Sequence, residues 1–252
     1  MKISLFRFKC LLLAASLLIF AQTAVAADTA PSVNWTGPYV GLHLGYGWGN
    51  GDTNISSPQA DFANLAPTTL SPNPNGVVGG LQAGYNYQLG CFVFGLEADF
   101  SGSGMSGDKV LSPILDNVGN YYPGTTLSSG QQIKWFGTLR PRVGYTLTPS
   151  TLVYATGGLA YGEVSYSAST DYRPILGSAY PASSSSTKVG WAVGGGIEYA
   201  VSNCWSVNAQ YLHIALGDQT ALAGGLPPTG YQVAYQWETT ADIFSVGVNY
   251  KF

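Results

Sequence analysis

Charge is scarce in this sequence. Of 252 residues only 9% are Asp, Glu, Lys or Arg, against ~25% in ordinary soluble domains. The acids outnumber the bases, 13 to 10, and there is no basic run, which argues against a nucleic-acid partner. Beyond the first residues no segment approaches the 18 consecutive apolar residues of a membrane-spanning helix. With two histidines and three cysteines, there is no ligand cluster for a metal, and no cofactor is called for. Gly-x-Ser-x-Gly and phosphate-loop motifs are missing too, so no residue is assigned a catalytic role.

What the chain does have begins at its N-terminus. Lys2, Arg7 and Lys9 precede an apolar stretch from Cys10 to about Phe20, and Ala24-Val25-Ala26 offers a small-x-small cleavage site. These features read as a secretory signal peptide over residues 1–26, followed by a short tether (27–34) and one domain (35–252). Removing the leader leaves seven basic residues against thirteen acidic ones and two cysteines, Cys91 and Cys204.

The domain is rich in glycine (33) and tyrosine (17) at a mean hydropathy of only +0.12. Its apolar residues alternate rather than cluster. Counting back from the end, Phe252, Tyr250, Val248, Val246 and Phe244 share one face, and Lys251, Asn249, Gly247 and Ser245 the other, which is the period of a strand. The same alternation recurs in "YVGLHLGYGWG", "GGLQAGYNYQ", "FVFGLEADF", "IKWFGTLRPRVGYTL", "TLVYATGGLAYGEVSYS", "KVGWAVGGGIEYAV" and "WSVNAQYLHIAL". Eight strands of about 9–15 residues follow. Short turns at Leu89-Gly90, Thr148–Ser150 and Ser202-Asn203 alternate with long polar stretches at about 50–75, 101–130, 167–186 and 217–240.

An even strand number, sorted connection lengths and apolar faces without charge point to a membrane barrel. The expected fold is all-β: a closed eight-stranded antiparallel up-and-down transmembrane β-barrel with short periplasmic turns and long extracellular loops. Closure satisfies every backbone group that faces lipid. Phe252 then lies in the aromatic girdle of the periplasmic rim.

The stretches "WTGPYVGLHLGYGWG", "GGLQAGYNYQLGCFVFGLEADFSGS", "ATGGLAYGEV", "YLHIALGD" and "VGVNYKF" resemble the small alphaproteobacterial outer-membrane proteins of the porin-family, RopB-like barrel group. The resemblance spans nearly the whole mature chain. It implies an eight-stranded barrel in the cell outer membrane, in contact with lipid and lipopolysaccharide. It further implies insertion by the barrel-assembly machinery, with Tyr250 and Phe252 as the terminal assembly signal. Members are mostly surface antigens with envelope roles, and some relatives bind haemin, which makes haemin or another surface ligand a candidate for the loops. Cys91, Cys204 and Pro141 depart from the usual pattern.

The lumen is where chemistry would sit. Glu97 and Asp99 point inward from the third strand and Arg140 and Arg142 from the fourth, with Lys134 further along the same inner face. Glu198, Gln82, Asn86 and Gln210 extend the set from other walls, and His43 reads as a lumenal polar residue. An eight-stranded interior is narrow enough for side chains to fill. The expectation is a salt-bridged plug and a structural surface protein. The alternatives are a small passive channel for polar solutes, a haemin-binding surface protein, and a lipid A-modifying enzyme, for which no Ser or carboxylate at matching spacing completes a triad with His213.

Two local expectations complete the reading. Pro141 lacks an N–H and should bring a bulge or a break in its ladder. Cys91 and Cys204 lie on turns facing each other across the barrel mouth, beyond the ~7 Å reach of a disulfide, so no intramolecular bond is expected.

Overall fold

The computed structural model describes residues 33–57, 69–115, 121–228 and 230–252. The expected signal peptide, most of the expected tether and part of the first long connection lie outside these residues.

Eight long antiparallel strands form the wall: β1 (Gly37–Asn50), β4 (Asn75–Leu89), β5 (Phe92–Leu111), β8 (Thr126–Thr148), β9 (Thr151–Asp171), β10 (Ala179–Ala200), β11 (Trp205–Gly224) and β12 (Gln232–Lys251). Each pairs with the next, and β1 pairs with β12, so the ring closes. Between them lie β2 (Thr53–Ser56) and β3 (Thr69–Leu70), a ribbon of β6 (Ile114–Leu115) and β7 (Tyr121–Tyr122), and the short helix α1 (Arg173–Leu176). Strand β2 pairs with β12 at Ala234–Trp237, above the point where β1 leaves it, and so continues the wall. No described helix is long and apolar enough to cross a membrane.

Toward the short turns the outer surface of the ring is a continuous apolar belt. Leu42, Leu81, Phe100, Leu139, Leu159, Val193 and Val246 all point outward, Leu42 with 63% of its surface exposed. Water-soluble monomers do not expose a contiguous apolar surface of this kind, whereas a lipid-facing wall must. Aromatic residues edge the belt. Phe92 packs edge-on to Tyr145 and Trp205 to Tyr250 near the short turns, and Trp135 to Tyr161 at the far side.

Strand length is the main departure from the sequence expectation. The strands run 14–23 residues, and much of the stretches at 101–130, 167–186 and 217–240 is strand, not loop. Some 9–11 tilted residues suffice to span the membrane; the remainder carries the wall beyond it. There the apolar residues change face. In β9, Leu159 and Tyr161 face out at membrane level, whereas beyond them Val164, Tyr166 and Ala168 are buried inside and Ser165, Ser167 and Ser169 face out. In β12, Phe244 and Val246 face out below, and Trp237 and Tyr235 are buried inside above.

Strands β9 and β12 keep one parity throughout, whereas in β8 and β11 a bulge reverses the parity as well. A shift between Ile133 and Trp135 puts Ile133 inside, 1% exposed. Lys134 is turned to the outer surface, where it binds Glu163 at 2.8 Å. The expected lumenal Lys134 is therefore wrong, because one extra residue in the ladder inverts every side chain beyond it. A second bulge, between Ala215 and Asp218, contains Gly217 at φ +67°, the left-handed conformation glycine adopts without strain.

Pro141 behaves differently on its two sides. Pairing with β5 passes through it regularly, Leu96 opposite Pro141. Toward β9 the ladder is interrupted between Leu139–Leu159 and Arg142–Thr156, and Thr156 Oγ1 donates to the Pro141 carbonyl at 3.0 Å. Cys91 and Cys204 are both exposed and unpaired.

Candidate functional site: a layered lumen

Strand alternation brings Glu97 and Asp99 of β5, Arg140 and Arg142 of β8, and Glu198 of β10 to one level of the interior, each at most 7% exposed. Glu97 and Arg140 are direct ladder partners. The Arg140 Nη2 group donates to Glu97 Oε1 at 2.9 Å and to Asp99 Oδ2 at 2.8 Å. Arg142 spans the lumen: Nη2 donates to Glu198 Oε2 at 2.8 Å and Nη1 reaches Glu97 Oε2 at 3.4 Å. The Arg142 guanidinium lies over the Tyr154 ring at 3.9 Å, a cation–π contact strengthened where water is excluded.

Neutral groups answer the remaining lone pairs. Tyr39 Oη donates to Glu97 Oε2 at 2.5 Å, and Thr138 Oγ1 donates to Asp99 Oδ2. Glu198 Oε1 accepts from Ser206 Oγ at 2.6 Å and Asn249 Nδ2 at 2.8 Å. Gln82 Nε2 donates to Asn249 Oδ1 at 2.6 Å. His43 faces inward and binds Ser101 Oγ at 2.9 Å. Asn86 and Gln210 are buried in the same interior.

The register explains why the arginines fit. Arg142 stands opposite Gly95 and Asp99 opposite Thr138. A Cβ at Gly95 would come within 2.8 Å of Arg142 Cγ and 2.4 Å of Asn86 Oδ1, so the glycine makes room for the guanidinium. Reading the sequence by alternation placed all five charged residues correctly but did not single out Tyr39, Thr138, Tyr154, Ser206 or Asn249. Their inward position follows from the same parity; their partners are set across the barrel.

Apolar layers bound the ionic one. On the short-turn side Trp35, Val93, Leu152, Tyr154 and Ala200 form a cluster, with Val33 packed against it. Trp35 precedes β1, is 4% exposed, and is tied down by Gln88 Oε1 accepting from its backbone N–H at 2.9 Å. On the other side a larger cluster rises from Met105, Ile133, Phe136, Leu212 and Ile243 to Leu127, Tyr166, Tyr235 and Trp237. In it Tyr166 and Tyr235 flank Trp237, ring centroids 5.2 and 5.9 Å apart.

On the outer surface His213 Nδ1 is 2.7 Å from Asp242 Oδ1 and stacks near Trp191. Tyr211 Oη donates to the same carboxylate oxygen. The pair joins the aromatic edge of the belt and supplies the carboxylate partner that sequence spacing did not show, because the two residues meet across neighbouring strands; among the described residues no serine or cysteine is bonded to it. Among the described residues no group of His, Cys, Asp and Glu is arranged to hold a metal ion.

A closed ring with an apolar belt, aromatic edges and an interior filled by side chains defines a small outer-membrane β-barrel. The chain belongs to the outer membrane protein beta-barrel domain family, which it matches over residues 11–252. It is 34% identical to the 31 kDa outer-membrane immunogenic protein of Brucella melitensis, covering 97% of this chain and 100% of that one. It is 28% identical to the 25 kDa outer-membrane immunogenic protein of the same organism, over 96% of each. A 22 kDa outer membrane protein of Rhizobium leguminosarum is 31% identical over 75% of this chain and 67% of its own length. Among solved structures, the outer membrane protein OprG of Pseudomonas aeruginosa superposes with a TM-score of 0.51 at 14% identity, covering 88% of this chain and 98% of that one, a likeness of fold. The protein is an outer-membrane surface barrel.

Proposed function

We propose that the protein serves the envelope as a structural surface barrel, its lumen closed to solute flow and its extracellular end available for contact. The observation that carries this reading is the stacking of three filled layers in one interior: Trp35 and its neighbours, the Glu97–Arg140–Arg142–Glu198 network, and the apolar column from Phe136 to Trp237. Steady passage of a polar solute would need all three to move. Planar-bilayer recording of the purified barrel tests it. No steady conductance is expected, and steady conductance by the wild type would install the channel reading instead.

The reading is non-enzymatic. His213 and Asp242 could orient a base, but a nucleophile–base pair is not assembled around them, which speaks against lipid A chemistry. Mass spectrometry of lipid A from a deletion strain should match the parent. The partners follow from the surface. The belt meets outer-membrane lipid, and lipopolysaccharide would lie against its Trp135–Tyr161 edge. Phe252, 71% exposed at the end of the closing strand, offers the barrel-assembly machinery a terminal aromatic. Deleting it should slow insertion. Haemin is the candidate ligand for the extracellular end, tested by comparing haemin binding in parent and deletion cells.

A further inference from the structure

The ionic layer retains polar atoms that no protein group answers. Trp35 Nε1 and Asn86 Oδ1 lie buried without partners toward the short-turn side; His43 Nδ1, Asp99 Oδ1, Arg140 Nε and Nη1, and Gln210 Nε2 do so toward the apolar column. They are gathered at two small cavities of about 20 Å³ each. The lower is lined by Trp35, Asn86, Glu198 and Asn249 and bordered at the barrel mouth by the exposed turn Ser202–Trp205. The upper is lined by His43, Asp99, Arg140 and Gln210 beneath Phe136 and Leu212. Gln131 Oε1 and Arg142 Nε are also unanswered but line neither cavity.

A buried donor or acceptor without a partner bears its full desolvation cost. A void needs about 10–15 Å³ and two to four polar partners to hold a water molecule. Both cavities meet both conditions. We propose that each is a hydration site holding one ordered water, so that the salt-bridge layer is hydrated above and below.

The chemistry selects water over an ion. The upper cavity offers guanidinium and amide donors on one side and a carboxylate oxygen on the other. An anion there would meet Asp99, and a cation would meet Arg140. A neutral molecule that both accepts and donates satisfies both, accepting from Arg140 and Gln210 and donating to Asp99 Oδ1. The lower water accepts from the Trp35 indole and donates to Asn86 Oδ1. The gap next above, among Met105, Ile133, Phe136, Ile214, Leu216 and Ile243, has no room for a water and no unanswered polar atom, so hydration stops there. The inference concerns the solvent inside the lumen and does not depend on the envelope role.

High-resolution crystals of the purified barrel, grown with bromide as the halide, test it. One solvent peak is expected in each cavity, within hydrogen-bond distance of the named atoms and without bromide anomalous signal, and none in the apolar gap. An empty cavity, or a bromide peak in either, overturns the proposal. Asn86→Leu should remove the lower peak and leave the upper; a lower peak that survives this change refutes the lower site.

Discussion

Two parts of one wall enclose opposite interiors. At membrane level the strands turn Leu42, Leu81, Leu139 and Val246 outward and enclose Glu97, Asp99, Arg140, Arg142 and Glu198. Beyond the membrane the same strands turn serines outward and enclose Leu127, Val164, Tyr166, Tyr235 and Trp237. The backbone is the same in both; the surrounding solvent differs. In lipid the apolar side chains gain nothing by leaving the outer face, so the inner face is free to be polar, provided its groups find partners. In water the hydrophobic effect acts as in any soluble sheet and draws apolar side chains inward. The lower region is held by directed bonds, the upper one by packing.

That division is tested most severely by a double-mutant cycle across it. Arg140→Ala strands two buried carboxylates and should cost about 3–5 kcal/mol. Trp237→Ala empties the space between two tyrosines and should cost about 3–5 kcal/mol. Since the two sites share no partner, their effects should add to within ~0.5 kcal/mol, read by denaturant unfolding in detergent. A coupling well above that would mean one cooperative interior rather than two.

The solvent boundary itself is located by a charge on the outer face. Leu42→Arg places a guanidinium in the belt and should destabilise by about 2–4 kcal/mol in a bilayer, whereas arginine beyond the interface costs close to nothing. Ser183→Arg, on the outer face of β10 in the extracellular extension, should therefore fold like the parent. Equal effects at the two positions would contradict the boundary.

Within the ionic layer the fit of Arg142 depends on Gly95. Gly95→Ala adds a methyl that meets Arg142 and Asn86 and should cost about 1–3 kcal/mol by overpacking. A stability unchanged from the parent would mean that the network tolerates displacement.

The smallest effect belongs to the extracellular tip. There Arg173 holds Asp171 through side-chain hydrogen bonds, at 2.5 Å from Nη2 to Oδ2, and keeps its carboxyl below the usual aspartate value. A depressed carboxyl contributes at a pH above its unfolded-state value, and the contribution is lost as pH falls through the lower folded-state value. Arg173→Gln should move the Asp171 titration upward in an NMR measurement without changing overall unfolding. A titration that stays in place would remove Arg173 as the cause.

Strand number, closure and the inward residues were legible because period-2 alternation assigns faces without reference to partners. The lumenal charges Glu97, Asp99, Arg140, Arg142 and Glu198 were all found in this way. Lys134 was misassigned because a single bulged residue reverses parity and leaves no mark in composition. The extracellular strands read as loops because their outward residues are Ser, Thr and Gly, the types that also make turns. Ser183 to Ser186 shows the ambiguity: it is strand in the structure, yet four serines carry no alternation. Trp35 closes the mouth, a role that no alternation marks.

The amino-acid order alone determined which solvent the apolar face meets, how many strands close the ring, and which charges lie within it. Those properties depend on local parity and on the near absence of charge from one face. Only the tertiary structure decided which charge binds which, since Arg142 reaches Glu198 across the lumen from a strand that is not its neighbour. It also decided where parity reverses in β8 and β11, because a bulge there leaves no mark in the strand's own alternation.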